Sequence, residues 1–134
     1  MIAIVIPGDP KGKQRPRLGK GYTYTPKQTV NYENWVKMCY LEQAQNLMLE
    51  GEIKAEIIAY YSIPKSTSKK KRQAMMNEEI RPTKKPDLDN IAKIILDSLN
   101  TIAYKDDSQI IELQVKKYYS DYPRVELQLQ DLKE

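Results

Sequence analysis

Four aspartates frame one stretch of the chain: Asp87 and Asp89 at its start, Asp106 and Asp107 near its end, with Lys93 and Asp97 between. Carboxylate oxygens are hard donors, and magnesium takes one or two of them while keeping several waters. An ion held that way can also bind a phosphate oxygen and acidify a bound water, which is the chemistry of phosphodiester hydrolysis. A calcium loop is excluded, because the next ligand position after Asp87 and Asp89 falls on Ile91 and no glycine follows for the sharp turn. With no histidine and Cys39 as the single cysteine, structural zinc, a disulfide framework and histidine-dependent nucleophilic catalysis lack their parts.

Each acid also has a plainer reading. Asp87 or Asp89 suits a helix N-cap, where a carboxylate favours the positive end of the dipole. Asp106-Asp107 suits a turn. Asp89 with Lys93, and Lys93 with Asp97, are four residues apart and would make surface ion pairs of about 0.3–0.5 kcal/mol. Acid pairs at both ends of one helical pattern weigh against giving all four such a role.

The elements that must position these residues are legible as periodicities. Leu88, Ile91, Ile95, Leu99 and Ile102 recur in steps of three and four and predict a core-facing helical stripe; Asp89, Lys93, Asp97 and Asn100 line a second face. Residues 1–6 read as a buried strand stopped by Pro7-Gly8-Asp9-Pro10, and 11–25 as a long basic loop with Tyr22 and Tyr24 as packing or stacking residues. Thr25-Pro26 opens a long helix, whose Val30, Trp35, Met38, Leu41 and Met48 are expected on a mostly apolar face and whose end is expected near Gly51. Strict alternation over 52–63 predicts a strand, and Ser66 or Ser68 caps a short basic helix running to about Met76. A charged, proline-bearing loop fills 77–86. Ile111, Leu113 and Val115, then Val125, Leu127 and Leu129 after Ser120-Asp121-Tyr122-Pro123, predict an antiparallel hairpin. The sum is an α+β fold: one compact domain over residues 1–134, with a mixed sheet of about four strands carrying the long helix and the motif-bearing helix.

The net charge of +4 hides an asymmetry, since residues 11–27 hold six basic residues and no acid, and 65–72 hold five more. Any one run reads as solvated surface, but several around an acidic motif favour a polyanionic partner. No apolar run approaches the roughly 18 residues of a membrane span, and the first strand is too short for a signal-peptide core, so a cytoplasmic protein is expected.

The chain resembles the RusA family of Holliday junction resolvases. The family pattern Pro-Asp-Leu-Asp-Asn, a lysine four residues after the second aspartate, Asp-x-Leu-Asn and Asp-Asp-x-Gln is met by Pro86 to Asn90, Lys93, Asp97 to Asn100, and Asp106 to Gln109. Gly8, Pro10, Lys13, Arg15, Pro16 and Arg17, followed by Tyr24-Thr25-Pro26, are similar to the family's basic opening. The resemblance implies an endodeoxyribonuclease of recombination and repair that uses Mg2+, with Mn2+ able to substitute. It further implies a homodimer whose subunits each nick one strand of a four-way junction and leave a 5′-phosphate, in a bacterial or phage-encoded, nucleoid-associated setting. Asp87, Asp89 and Asp107 would be the metal-binding aspartates and Lys93 the essential lysine. Asp106 is a further ligand candidate, and Asn90 and Asp97 would orient these groups. Lys93 would stabilise charge on the phosphoryl oxygens or position the water, or else simply offset acidic repulsion. Sequence-independent contacts to branched DNA are expected from Lys11, Lys13, Arg15 and Arg17, and from Lys69, Lys70, Lys71 and Arg72. Two alternatives stay open: a non-catalytic branched or single-stranded DNA binder with Tyr22 and Tyr24 as stacking platforms, and a general branched-DNA or flap nuclease.

Overall fold

The computed structural model describes residues 1–133. Strand β1 (Ile2–Pro7) is followed by β2 (Arg17–Gly19) and β3 (Tyr22–Tyr24), helix α1 (Lys27–Ala44) and strand β4 (Ile53–Ser62). Helices α2 (Lys69–Met76) and α3 (Leu88–Ser98) come next, then strands β5 (Ile110–Ser120) and β6 (Arg124–Asp131). The main sheet has the order β1-β6-β4-β5, with β6 antiparallel to both neighbours and β4 parallel to β5.

Alternation builds this sheet. Ile53, Ala55, Ile57, Ala59 and Tyr61 point to one face of β4, and Ile2, Ile4, Ile6, Val125, Leu127 and Leu129 extend that face. Helices α1 and α3 cover it with Tyr32, Val36, Cys39, Tyr40 and Ala44, and with Ile91, Ile94, Ile95 and Leu99. One core between two layers makes a single α+β domain.

Four local expectations change. The segment 110–131 is not a hairpin: β4 lies between β5 and β6, and residues 121–123 carry the chain across its end. Both runs alternate, but β6 fully buries Val125, Leu127 and Leu129 and so takes a central place, whereas Leu113 of β5 stays 47% exposed at the edge. Local alternation carries no record of which strand buries more. Helix α1 turns its largest apolar residues outward: Val30, Trp35, Met38 and Leu41 are exposed, as is Met48 beyond its end, and Val36 with smaller or polar-tipped Thr29, Tyr32, Cys39 and Tyr40 faces the core. It begins at Lys27, with Pro26 in the N-cap position, and ends at Ala44 rather than near Gly51. The long loop holds the β2–β3 ribbon. In α3, Leu88 leaves the core stripe and is 42% exposed. The Ser68 hydroxyl accepts from the Lys71 amide and caps α2.

Candidate active site

The motif-bearing helix α3 starts beyond a strap formed by Lys84, Lys85 and Pro86. The strap is fastened to the ends of the parallel pair β4–β5: the Tyr61 hydroxyl donates to the Pro86 carbonyl at 2.5 Å, and Lys117 Nζ donates to the Lys84 carbonyl at 2.8 Å. Burial, then the charge of Asp87, holds the Tyr61 phenol well above its usual range, so it stays a donor. The carboxyl ends of parallel strands are where α/β sheets place ligands.

From the other side the basic loop closes on the first turn of α3. The Lys13 amide donates to the Asn90 carbonyl at 3.1 Å. A Cβ at Gly12 would meet Pro86 Cβ at 2.9 Å and Asn90 Cβ at 3.0 Å, so only glycine fits this approach without displacement. Between loop and strap lies a cleft of about 550 Å³, lined by Pro10, Lys11, Lys13, Lys85, Asp87 and Asn90 among others.

Asp87 occupies the N-cap position of α3, yet its side chain makes no capping hydrogen bond. Asp89, in the first turn, is exposed, as is Lys93 one turn on. Neither Asp89 with Lys93 nor Lys93 with Asp97 forms a salt bridge among the described residues; Asp97 pairs instead with Lys13, at 3.5 Å. Asp87 and Asp89 are thus held by neither a side-chain capping bond nor an ion pair with Lys93 among the described residues.

The second acid pair divides in two. Asp106 is spent on the turn 107–109: its carboxylate accepts from the Ser108 amide at 3.0 Å, the Ser108 hydroxyl and then this amide hold its pKa down, and Gln109 completes the capping box. Gln109 also donates to the carbonyls of Leu49 and Gly51, at 3.0 and 3.1 Å. Asn100 Oδ1 accepts from the Asp107 amide at 2.8 Å. Three motif residues thus hold the turn that presents Asp107. Burial, then the nearby Asp97 carboxyl within hydrogen-bonding reach, raises the pKa of Asp107.

The structure brings Asp97 and Asp107 together but leaves Asp87 and Asp89 at the opposite end of α3. Asp97 follows Asp89 by eight residues, about 12 Å along a helix axis. No group of three or more candidate ligands closes on one point among the described residues. The donor chemistry fits a hard divalent ion with few protein ligands and retained waters, not an all-protein cage.

The basic residues also sort themselves. Lys11, Arg15 and Arg17 are exposed, as are Lys69, Lys70 and Lys71 on α2. Lys13 is partly buried and held by Glu33 at 2.8 Å as well as by Asp97. Desolvation lowers its pKa, and the two carboxylates outweigh it, leaving the ammonium raised. Arg72 pairs with Asp121. Sequence reading missed a cation–tyrosine ladder on the outer sheet face: Arg81 lies 4.3 Å over Tyr118, which stacks on Tyr60 at 6.0 Å, with Arg124 3.9 Å over Tyr60. The signal was the doubled tyrosines, since Tyr60 registers with Tyr118 and Tyr61 with Tyr119. On the β2–β3 ribbon, Tyr22 and Tyr24 are exposed with ring centroids 6.0 Å apart.

A family model for endodeoxyribonuclease RusA matches residues 7–130. The chain belongs to the RusA endodeoxyribonuclease family. It is also 34% identical over 137 residues to an uncharacterized protein, YqaN, of Bacillus subtilis (strain 168), covering 98% of this chain and 96% of that one. Members of the RusA family are Holliday junction resolvases, nucleases that act on branched DNA and depend on divalent metal in general. No helix among the described residues is long and apolar enough to cross a membrane.

Proposed function

We propose that this RusA protein is a magnesium-dependent homodimer that resolves four-way junctions by paired nicking in DNA recombination and repair. One observation carries the reading: Asp87 and Asp89 make no capping hydrogen bond or salt bridge among the described residues at the start of α3, and Asp87 lines a cleft walled by Lys11, Lys13 and Lys85. Free carboxylates in a basic cleft suit an ion that must also meet a phosphate.

In this reading Asp87 and Asp89 hold the ion, which supplies Lewis-acid polarisation of the phosphate and an acidified water. Asp107, beside Asp97, marks a second place where a divalent cation would relieve like-charge repulsion. Lys93, exposed one turn beyond Asp89, offers its ammonium to charge developing on the phosphoryl oxygens. Asn90 orients the cleft through its backbone bond to Lys13. Lys11, Arg15 and Arg17 take flanking phosphates, with Lys69, Lys70 and Lys71 reaching the strand from α2. A two-fold assembly matches the two-fold junction. Support for it comes from the exposed apolar residues Val30, Met38 and Leu41 on the outer side of α1.

The test is cleavage of a synthetic four-way junction with magnesium, comparing the natural chain with Asp89→Asn. Symmetric nicks lost in the variant are expected. Undiminished cutting by the variant overturns the site, and tight binding without cutting by either protein establishes a DNA binder instead.

A further inference from the structure

Lys11, Gly12 and Gln14 also line a second cavity. It measures about 430 Å³ and is lined by Lys11, Gln14, Gln28, Asn31, Tyr32 and Trp35 among others, within the range of small-ligand pockets. We propose that this cavity receives an unpaired nucleobase beside the cutting site and makes cleavage depend on base identity. The inference rests on the nuclease reading above and extends it to a second site.

The lining argues the ligand class. It contains no carboxylate, so a metal ion or an amine finds no counter-charge there. It has one lysine and no arginine, too little for a phosphate as its main occupant. It does have three carboxamides, each carrying both donors and acceptors, the set that reads the edge of a neutral heterocycle. Gln14 and Gln28 are joined by a weak 3.3 Å bond from Nε2 to Oε1, which an incoming base edge can replace.

The aromatic wall fits the same ligand. Trp35 is 39% exposed, and its indole N–H donates to the Pro7 carbonyl at 2.8 Å. That bond fixes an open indole at the mouth, a stacking surface that needs little ordering on binding. Tyr32, buried on the core side of α1, adds a second aromatic ring to the lining.

Position supplies the link to cutting. Lys11, Gly12 and Gln14 line both this cavity and the acidic cleft holding Asp87. A nucleotide whose phosphate lies in the cleft can place its base in the adjoining cavity, with Lys11, common to both linings, neutralising the backbone between. Bases stacked in an intact duplex cannot turn out into a side cavity without losing their pairing, whereas a branch point offers bases already partly unstacked, at lower cost. The cavity thus favours branched DNA as well as particular bases.

Trp35 is the chain's single tryptophan, so its fluorescence reports on this cavity. In EDTA, where nothing is cut, the natural chain would be titrated with single-stranded tetranucleotides of each base and with a short duplex. Quenching by one or two of the homopolymers, at concentrations at least about threefold below those needed for the duplex, is expected. The double variant Gln28→Ala, Asn31→Ala should lose that discrimination between bases; both side chains are exposed, so the fold tolerates the change. In parallel, four-way junctions differing only in the base at the branch would be cut by both proteins. The ratio of best to worst rate should fall about fivefold in the variant, whatever the absolute rates. Equal quenching by duplex and single strand, or an unchanged ratio, overturns the pocket. Base-selective quenching without any cutting overturns the nuclease reading and leaves the pocket standing.

Discussion

The two ends of α3 carry the same pair of residue types and use them differently. At the amino end, Asp87 and Asp89 make no cap bond or salt bridge among the described residues, and Asp87 lines a basic cleft. At the carboxyl end, Asp97 is tied to Lys13 and crowded by Asp107, whose turn is held by Asn100, Asp106 and Gln109. One end leaves its charges open to a ligand; the other stores repulsion inside a polar network. Acid clusters are thus distinguished less by how many carboxylates they hold than by which ones the fold already employs.

The sharpest way to break this contrast is activity. Asp87→Asn or Asp89→Asn should cut four-way junctions at least about a hundredfold more slowly, the scale of a lost transition-state contact. Their unfolding free energies in urea should stay within about 0.5 kcal/mol of the natural chain, as at surface sites without structural roles. A large loss of stability in either variant would mean that the amino-end acids are employed after all.

Next comes the packing beneath each end. Leu99 is completely buried and Leu88 is 42% exposed, so Leu99→Ala should cost about 3 kcal/mol in urea unfolding and Leu88→Ala under about 1 kcal/mol. Equal costs would erase the asymmetry. Lys13→Met, which removes the ties to Glu33 and Asp97 at a partly buried site, should cost about 1 kcal/mol and loosen the loop. Raised hydrogen exchange at the Lys13 position's amide contact with Asn90 would show that loosening.

The smallest effect has the opposite sign. Because burial and Asp97 raise the pKa of Asp107, its ionised form opposes folding, and Asp107→Asn should stabilise the metal-free protein near neutral pH. The gain should disappear as pH falls below the ordinary carboxylate value of 3.8, where both proteins are neutral at this position. A variant less stable than the natural chain across that range would show that the carboxylate is satisfied rather than strained.

Much of this was readable in the chain. Strand β4 showed itself because every second residue from Ile53 to Tyr61 is buried, and α3 because its apolar steps follow the helical period. Strand neighbours were not readable: β5 and β6 flank a turn, yet the deeper burial of β4 and β6 decides the order. The face of α1 misled because tyrosine and cysteine pack inward while methionine and leucine stay out, which no hydropathy pattern foretells. Within the site, the acid spacing was visible, but the spending of Asp106 on a cap and of Lys13 on two carboxylates depends on contacts between distant segments.

Strand β1 lies against β6, with Ile2 opposite Leu129. On the ribosome, β1 must wait for β6, made long after it, before it can pair. Strand β4 likewise waits for β5 before the strap at Lys84 and Pro86 has both of its anchors, Lys117 and Tyr61. The aspartates of α3 are therefore synthesised well before the scaffold that aims them. A nascent copy without β5 carries the acids while the strap before them still lacks its Lys117 anchor.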